Sequence, residues 1–476
     1  MAIGATGDKE DAYQMGHIMG TELNAVGINV NFAPVYDVNC NPDNPIIGVR
    51  SFGESPDLVS MMGTSMTKGM QDAGIAACAK HFPGHGDTSI DSHTGLPIVP
   101  HNKSRLYSVE LAPFQEAVDE GVDMIMTAHI IYPAFDDSGK PATLSRPILT
   151  DLLKNEMGFE GVVITDAMAM GAITKNYGSN EACVMAIQAG ADIILDTINI
   201  EDRINAVKDA VRNGKISMER IDDAVSRILT LKQKLGLWDN RYVDPAKAEK
   251  IVGCAEHKEI ERRVAGDSIT LVKNEGIVPL RLDGNDLLVI EIIDIGGAIN
   301  TLGENEGKLS KEVKDHNPNT QNIFVTQNTC DLEIKIARKL AKNAEVVIIG
   351  TQNFPAPAFH PGYEGQVKLI NALLNDGNKV VVIGMRDPYD LRFFPDVNGY
   401  IATYTIRKES VSEAVNVLFG ESEANGLLPV TIPDVIPYYY GYPDNRCMVK
   451  GRILDDLGKP IAGAAITMGN ETSHMI

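Results

Sequence analysis

One pattern constrains this chain more than any other. An amphipathic helix leads into a short, continuously apolar strand, and an ionisable residue stands at the strand's end. Residues 8–26 have helical spacing with Asp8 as the expected N-cap, and Gly27–Pro34 follows as a short strand. The unit recurs. Helix 56–73 precedes Ile75–His81, helix 105–120 precedes Asp123–His129, helix 147–157 precedes Gly161–Asp166, and helix 179–189 precedes Ala191–Asp196. Strands that are apolar throughout and alternate with helices are buried on both faces, as in a parallel α/β sheet. Lys80, His81, His129 and Asp166 all fall at C-terminal strand ends, the face on which a β/α barrel gathers its catalytic residues. An open doubly wound sheet would instead call for a glycine-rich phosphate turn, and neither G-x-G-x-x-G nor a Walker motif occurs in that context.

A second α/β unit is expected from Ser268–Asn274 onward, with strands at 286–292, 345–350, 379–384 and 399–403. Beyond Pro443 the pattern changes. Met448–Leu454 and Ala462–Met468 flank Asp455–Pro460 and read as a β-hairpin, the opening of a β-sandwich. The expected organisation is a barrel domain over 1–240, a linker at 241–263, an α/β domain over 264–436 and the start of a small β module at 447–476.

Composition narrows the function. Lys and Arg number 43 against 64 Asp and Glu, a net charge of −21 without basic clusters, which argues against nucleic-acid or anionic-membrane binding. No apolar run is long enough to span a bilayer, and the N-terminus has neither the basic nor the apolar region of a signal peptide. The six cysteines are scattered, with no C-x-x-C, so neither a disulfide framework nor a zinc ribbon is indicated. A single Trp argues against a sugar-binding surface of stacked indoles but leaves open a pocket built on hydrogen bonds.

The densest chemistry lies in Lys80–His93, where three histidines and two aspartates follow one buried strand. Asp91 and His93 are two residues apart, and a carboxylate beside an imidazole fixes its tautomer and makes a general acid/base near neutrality. Asp166 closes the apolar Val162–Thr165 run, and an isolated carboxylate at that strand end is the other strong candidate for chemistry. His85 and Asp87 are read as shaping the loop, His129 as a packed histidine, and Asp37, at another strand end, is undecided. The histidines and aspartates of 81–93 also admit a metal site, but the His-x-His of divalent-metal barrels is missing.

The string Lys80-His81-Phe82-Pro83-Gly84-His85-Gly86-Asp87-Thr88, with Asp91-Ser92-His93 and Ile164-Thr165-Asp166, resembles glycoside hydrolase family 3 in its β-N-acetylglucosaminidase branch. Val49–Gly53 and Gly426–Pro433 match as well. The resemblance implies a retaining exo-β-N-acetylhexosaminidase acting on peptidoglycan- or chitin-type sugars, with no cofactor or metal. It also implies an incomplete (β/α)8 barrel followed by an α/β sandwich. By position, Asp166 matches the nucleophile, His93 and Asp91 the acid/base pair, and Arg50, Lys80 and His81 the sugar-binding residues. Residues 1–200 are expected to supply six strands where the family's barrel has eight, and the family's D-x-E-G-G motif is not found. The chain therefore reads as truncated at its N-terminus, and its two-domain layout favours export over a cytoplasmic location. The alternatives are an inactive or sugar-binding remnant, a β-glycoside phosphorylase, and a metal-dependent hydrolase.

Overall fold

The computed structural model describes residues 1–196, 198–281, 286–293, 307–352 and 363–438, and the backbone of 465–468 and 471–474. The first sheet holds four parallel strands in sequence order: β1 (Val30–Asn31), β2 (Ala76–Phe82), β3 (Met124–Thr127) and β4 (Val162–Ile164). The sheet is thus smaller than the six strands expected. Residues 191–196 join it through a single bridge, Ile164 to Ile193, because the Thr165 hydroxyl takes the Leu195 N–H that a continued ladder would use.

β2, β3 and β4 bury both faces, and β1 is half-buried. Ala79, Phe82, Ile125 and Val163 pack under Phe114, Leu149 and Leu153. Cys78, Met124, Met126, Val162 and Ile164 point the other way and meet Ile228, Leu231 and Leu235 of the helix Met218–Lys234. The expected Asp8 cap is present, accepting the Glu10 N–H at 2.8 Å, and Ser55 and Ser217 also cap their helices. The single helix expected over 105–120 is two, Lys103–Ser108 and Ala112–Asp119. Pro113 lacks the N–H a continuous helix would need there, and it restarts the chain as a new first turn.

The second sheet has six strands in the order β5 (Thr270–Asn274), β10 (Gly399–Ala402), β9 (Lys379–Gly384), β8 (Val346–Thr351), β6 (Leu287–Ile293), β7 (Gln321–Thr326). Only β5 runs antiparallel to its neighbour. Apolar clusters on both faces make this an α/β sandwich. At the C-terminus, β11 (Ala465–Met468) pairs antiparallel with β12 (Glu471–His474). The strand expected to pair with it, Met448–Leu454, lies outside the described residues. Among the described residues no helix is long and apolar enough to cross a membrane.

Candidate active site

The C-terminal edge of the first sheet brings together residues that are far apart in the chain. β2 pairs with β3 through Lys80 and Met126, then shifts register so that Phe82 opposes Thr127. His81 is the extra residue of that bulge. Its N–H is released from the ladder and goes to Asp37 Oδ1 at 3.1 Å. The ring follows, with Nδ1 2.7 Å from Asp37 Oδ2. Asp37 also accepts the His85 N–H at 2.6 Å. Burial works to raise the pKa of Asp37, but the facing His81 and His85 and these donors outweigh it, so the carboxylate is held below its usual range.

His81 Nε2 faces the site. It lies 4.0 Å from Asp166 Oδ2 and 3.5 Å from Arg50 Nη2. Asp166, which follows β4, accepts the Ala167 N–H at 2.7 Å. Its side chain is 20% exposed, open to a ligand and otherwise enclosed. Burial pushes its pKa up, yet His81, His129, the Ala167 N–H and Lys80 together bring it below the ordinary value, so Asp166 is an anion at neutral pH. His129 is packed, as read from the sequence, and it also braces this turn. Nε2 lies 3.1 Å from the Ala167 carbonyl and Nδ1 2.7 Å from the Thr143 hydroxyl. Lys80 is lowered by burial and by Arg50, and no hydrogen bond or ion pair among the described residues engages its ammonium group. A partly buried cation in that state is available to a ligand's oxygens. Arg50 ends the turn Gly48–Arg50 and donates from Nη1 to the Ile46 carbonyl at 3.1 Å.

The Asp91–His93 pair is carried on the loop after β2. Asp91 Oδ1 lies 2.8 Å from His93 Nδ1 and also accepts the His93 N–H at 2.9 Å. Asp91 Oδ2 is buried with no hydrogen-bond partner. The loop is pinned from below by His85, whose ring nitrogens lie 2.8 Å from the Thr88 hydroxyl and 3.0 Å from the Ser92 hydroxyl. Burial, then the nearby His81, push His85 down to about 4, so it is neutral. The other side of the loop docks on the segment after Asp166. Gly171 and Ala172 donate N–H groups to the His93 and Ser92 carbonyls. Any side chain at residue 171 would meet the His93 carbonyl oxygen at 2.5 Å, so only glycine allows this docking. Asp87 binds His101 at 2.5 Å and lies 3.7 Å from Arg105, which also pairs with Glu110 and contacts Cys40. Cys40, Asp87 and Glu110 have the donor types of a metal site, but here the Arg105 guanidinium already balances the carboxylates.

The structure thus joins Lys80, His81, Arg50 and Asp166 at one strand edge and places Asp91 and His93 on an adjoining loop. Sequence reasoning left Asp37 undecided, and its strand-end position was the available signal. A carboxylate anion, an ammonium group without a partner among the described residues and an Asp–His pair, gathered at the end of a β/α sheet, are groups that an enzyme of the glycoside hydrolase class can use. Residues 1–231 match the glycosyl hydrolase family 3 N-terminal domain and residues 269–456 the family 3 C-terminal domain. The chain is 34% identical to beta-hexosaminidase A of Pseudoalteromonas piscicida, over 91% of this chain and 79% of that protein. It is 32% identical to a beta-N-acetylglucosaminidase/beta-glucosidase of Cellulomonas fimi, over 63% of this chain and 55% of that one. The solved family 3 beta-N-acetylglucosaminidase of Paenibacillus sp. FPU-7 superimposes with a TM-score of 0.83 at 38% identity, covering 91% of this chain and 82% of that chain. This chain belongs to glycoside hydrolase family 3.

Proposed function

We propose that this protein is a retaining exo-β-N-acetylhexosaminidase that releases terminal N-acetylglucosamine from peptidoglycan- or chitin-type sugars. The observation that carries the reading is Asp166: a carboxylate at a strand end, held ionised by His81, His129 and Lys80 and open to a ligand on one side. In the first step Asp166 attacks the anomeric carbon as His93 gives its Nε2 proton to the departing glycosidic oxygen. The glycosyl–enzyme ester that results is then opened by water, which returns a proton to His93 as it attacks. Asp91, on Nδ1, orients the imidazole and stabilises its cationic form, as the aspartate of a Ser-His-Asp triad does. Lys80, Arg50 and His81 hold the sugar's hydroxyl and acetamido oxygens.

The relatives' names support the activity, and the resemblance of the Lys80–His93 string supports the roles. In the test, Asp166→Asn is assayed on an aryl N-acetyl-β-glucosaminide and should retain under about a thousandth of the turnover, since a lost nucleophile costs several kcal/mol of barrier. More than about a tenth of the activity would overturn the assignment. Acceleration by inorganic phosphate with release of a sugar 1-phosphate would move the reading to a phosphorylase.

A further inference from the structure

The turn that carries Arg50 is held by the second domain. Val49, its immediate neighbour, packs against the apolar cluster of the second sheet. Gly48 has a positive φ of 45°, and a Cβ there would meet Asp387 Oδ1 at 2.5 Å. The buried Asp387 carboxylate faces the Val49 N–H. Asn39 also bridges the turn to this segment, its Oδ1 accepting the Gly48 N–H at 3.1 Å and its Nδ2 donating to the Tyr389 hydroxyl at 2.9 Å. Arg392 reaches Asp43 on the same loop at 2.6 Å. The segment that makes these contacts, Asp387–Arg392, is itself tied to its own sheet by Asp390, which accepts from Thr351 on β8 at 2.7 Å and from Tyr400 on β10. Asn39, Tyr389, Asp387 and Asp390 are all buried.

We propose that Asp387 and Tyr389 are positioning residues for substrate binding: the second domain acts as a strut that fixes the Gly48–Arg50 turn and so aims Arg50 at the sugar beside His81. This rests on the assignment of Arg50 to the substrate. The two residues act through Arg50 and the loop that carries it.

Tyr389→Phe removes only the hydroxyl that Asn39 needs. KM for an aryl N-acetyl-β-glucosaminide should rise about tenfold while kcat stays within about threefold, because a misaimed binding group weakens ground state and transition state alike. In an Arg50→Ala background the same substitution should add less than about twofold, since two changes on one path are not additive. Hydrogen exchange of the 41–50 amides should rise about tenfold or more in Tyr389→Phe, with 161–175 unchanged. Asp387→Asn should reproduce the pattern; if it does not fold, Tyr389→Phe decides. Unchanged exchange at 41–50, or the full KM effect persisting without Arg50, overturns the proposal. If the wild-type protein cleaves no N-acetyl-β-glucosaminide, the functional reading fails while the exchange result still decides the strut.

Discussion

The site holds two aspartate–histidine pairs of nearly the same length in different surroundings. Asp37 and His81 meet at 2.7 Å with side-chain exposures of 0% and 6%. Asp91 and His93 meet at 2.8 Å, but the His93 side chain is 46% exposed and that of Asp91 only 6%. In the first pair every element is anchored: Asp37 takes two backbone N–H groups and a ring nitrogen, and His81 sits in a strand bulge. In the second, the carboxylate is enclosed on a pinned loop and the imidazole stands in solvent. Identical chemistry thus divides by burial. The enclosed pair is a fixed electrostatic wall beside Asp166, and the open pair has the solvent access that its proposed proton transfer requires.

The largest effect should come from breaking the enclosed pair. Asp37→Ala strands two N–H groups and a ring nitrogen in the interior and should cost roughly 3–5 kcal/mol of stability along with nearly all activity. Asp91→Ala should leave stability within about 1 kcal/mol. Thermal unfolding of the two variants side by side checks this, and equal losses would erase the distinction. Next in size is the proposed proton donor. His93→Ala should slow substrates with poor leaving groups by about 10² to 10⁴, and aryl glycosides with activated leaving groups far less. Equal losses on both would make His93 a binding residue.

A smaller effect concerns pH. His85 is buried and neutral, with its pKa lowered from 6.5 to about 4. The unfolded chain gains a proton there below about 6.5 that the folded chain accepts only near 4, so its contribution to stability falls as pH drops through that window and levels off below it. Replacing His85 with Gln should flatten the dependence of melting temperature on pH between about 4 and 6.5. An unchanged slope would show that other groups set it. The smallest effect is expected at Lys175, which donates to the Thr94 carbonyl at 2.7 Å from an exposed position. Lys175→Ala should change kcat by less than about threefold, because the Gly171 and Ala172 N–H groups still hold the loop. A larger fall in steady-state assays would mean that the loop's order depends on that one contact.

Some of this was legible in the chain alone. The Asp91–His93 pair is local: an aspartate two residues before a histidine can bond both its backbone N–H and its ring, whatever the rest of the molecule does. The Asp8 helix cap is equally local. Strand-end placement of Lys80, His81 and Asp166 followed from apolar runs that stop at a charge. The break between Lys103–Ser108 and Ala112–Asp119 had a visible cause in Pro113, but the helical spacing on either side masked it.

What the sequence determined by itself was the set of reactive groups, the edge of the sheet on which they lie, and the one pair whose partners are neighbours in the chain. Tertiary structure decided the rest. Asp37 finds His81 and His85, 44 and 48 residues away, only because parallel pairing brings Val35 beside Lys80 and a bulge turns His81 toward it. Asn39 finds Tyr389 across 350 residues because two separately built sheets meet at the Arg50 turn. Bonds that span a few residues are written in spacing and composition. Bonds across strands and domains depend on register and docking, which the packing of the whole chain selects.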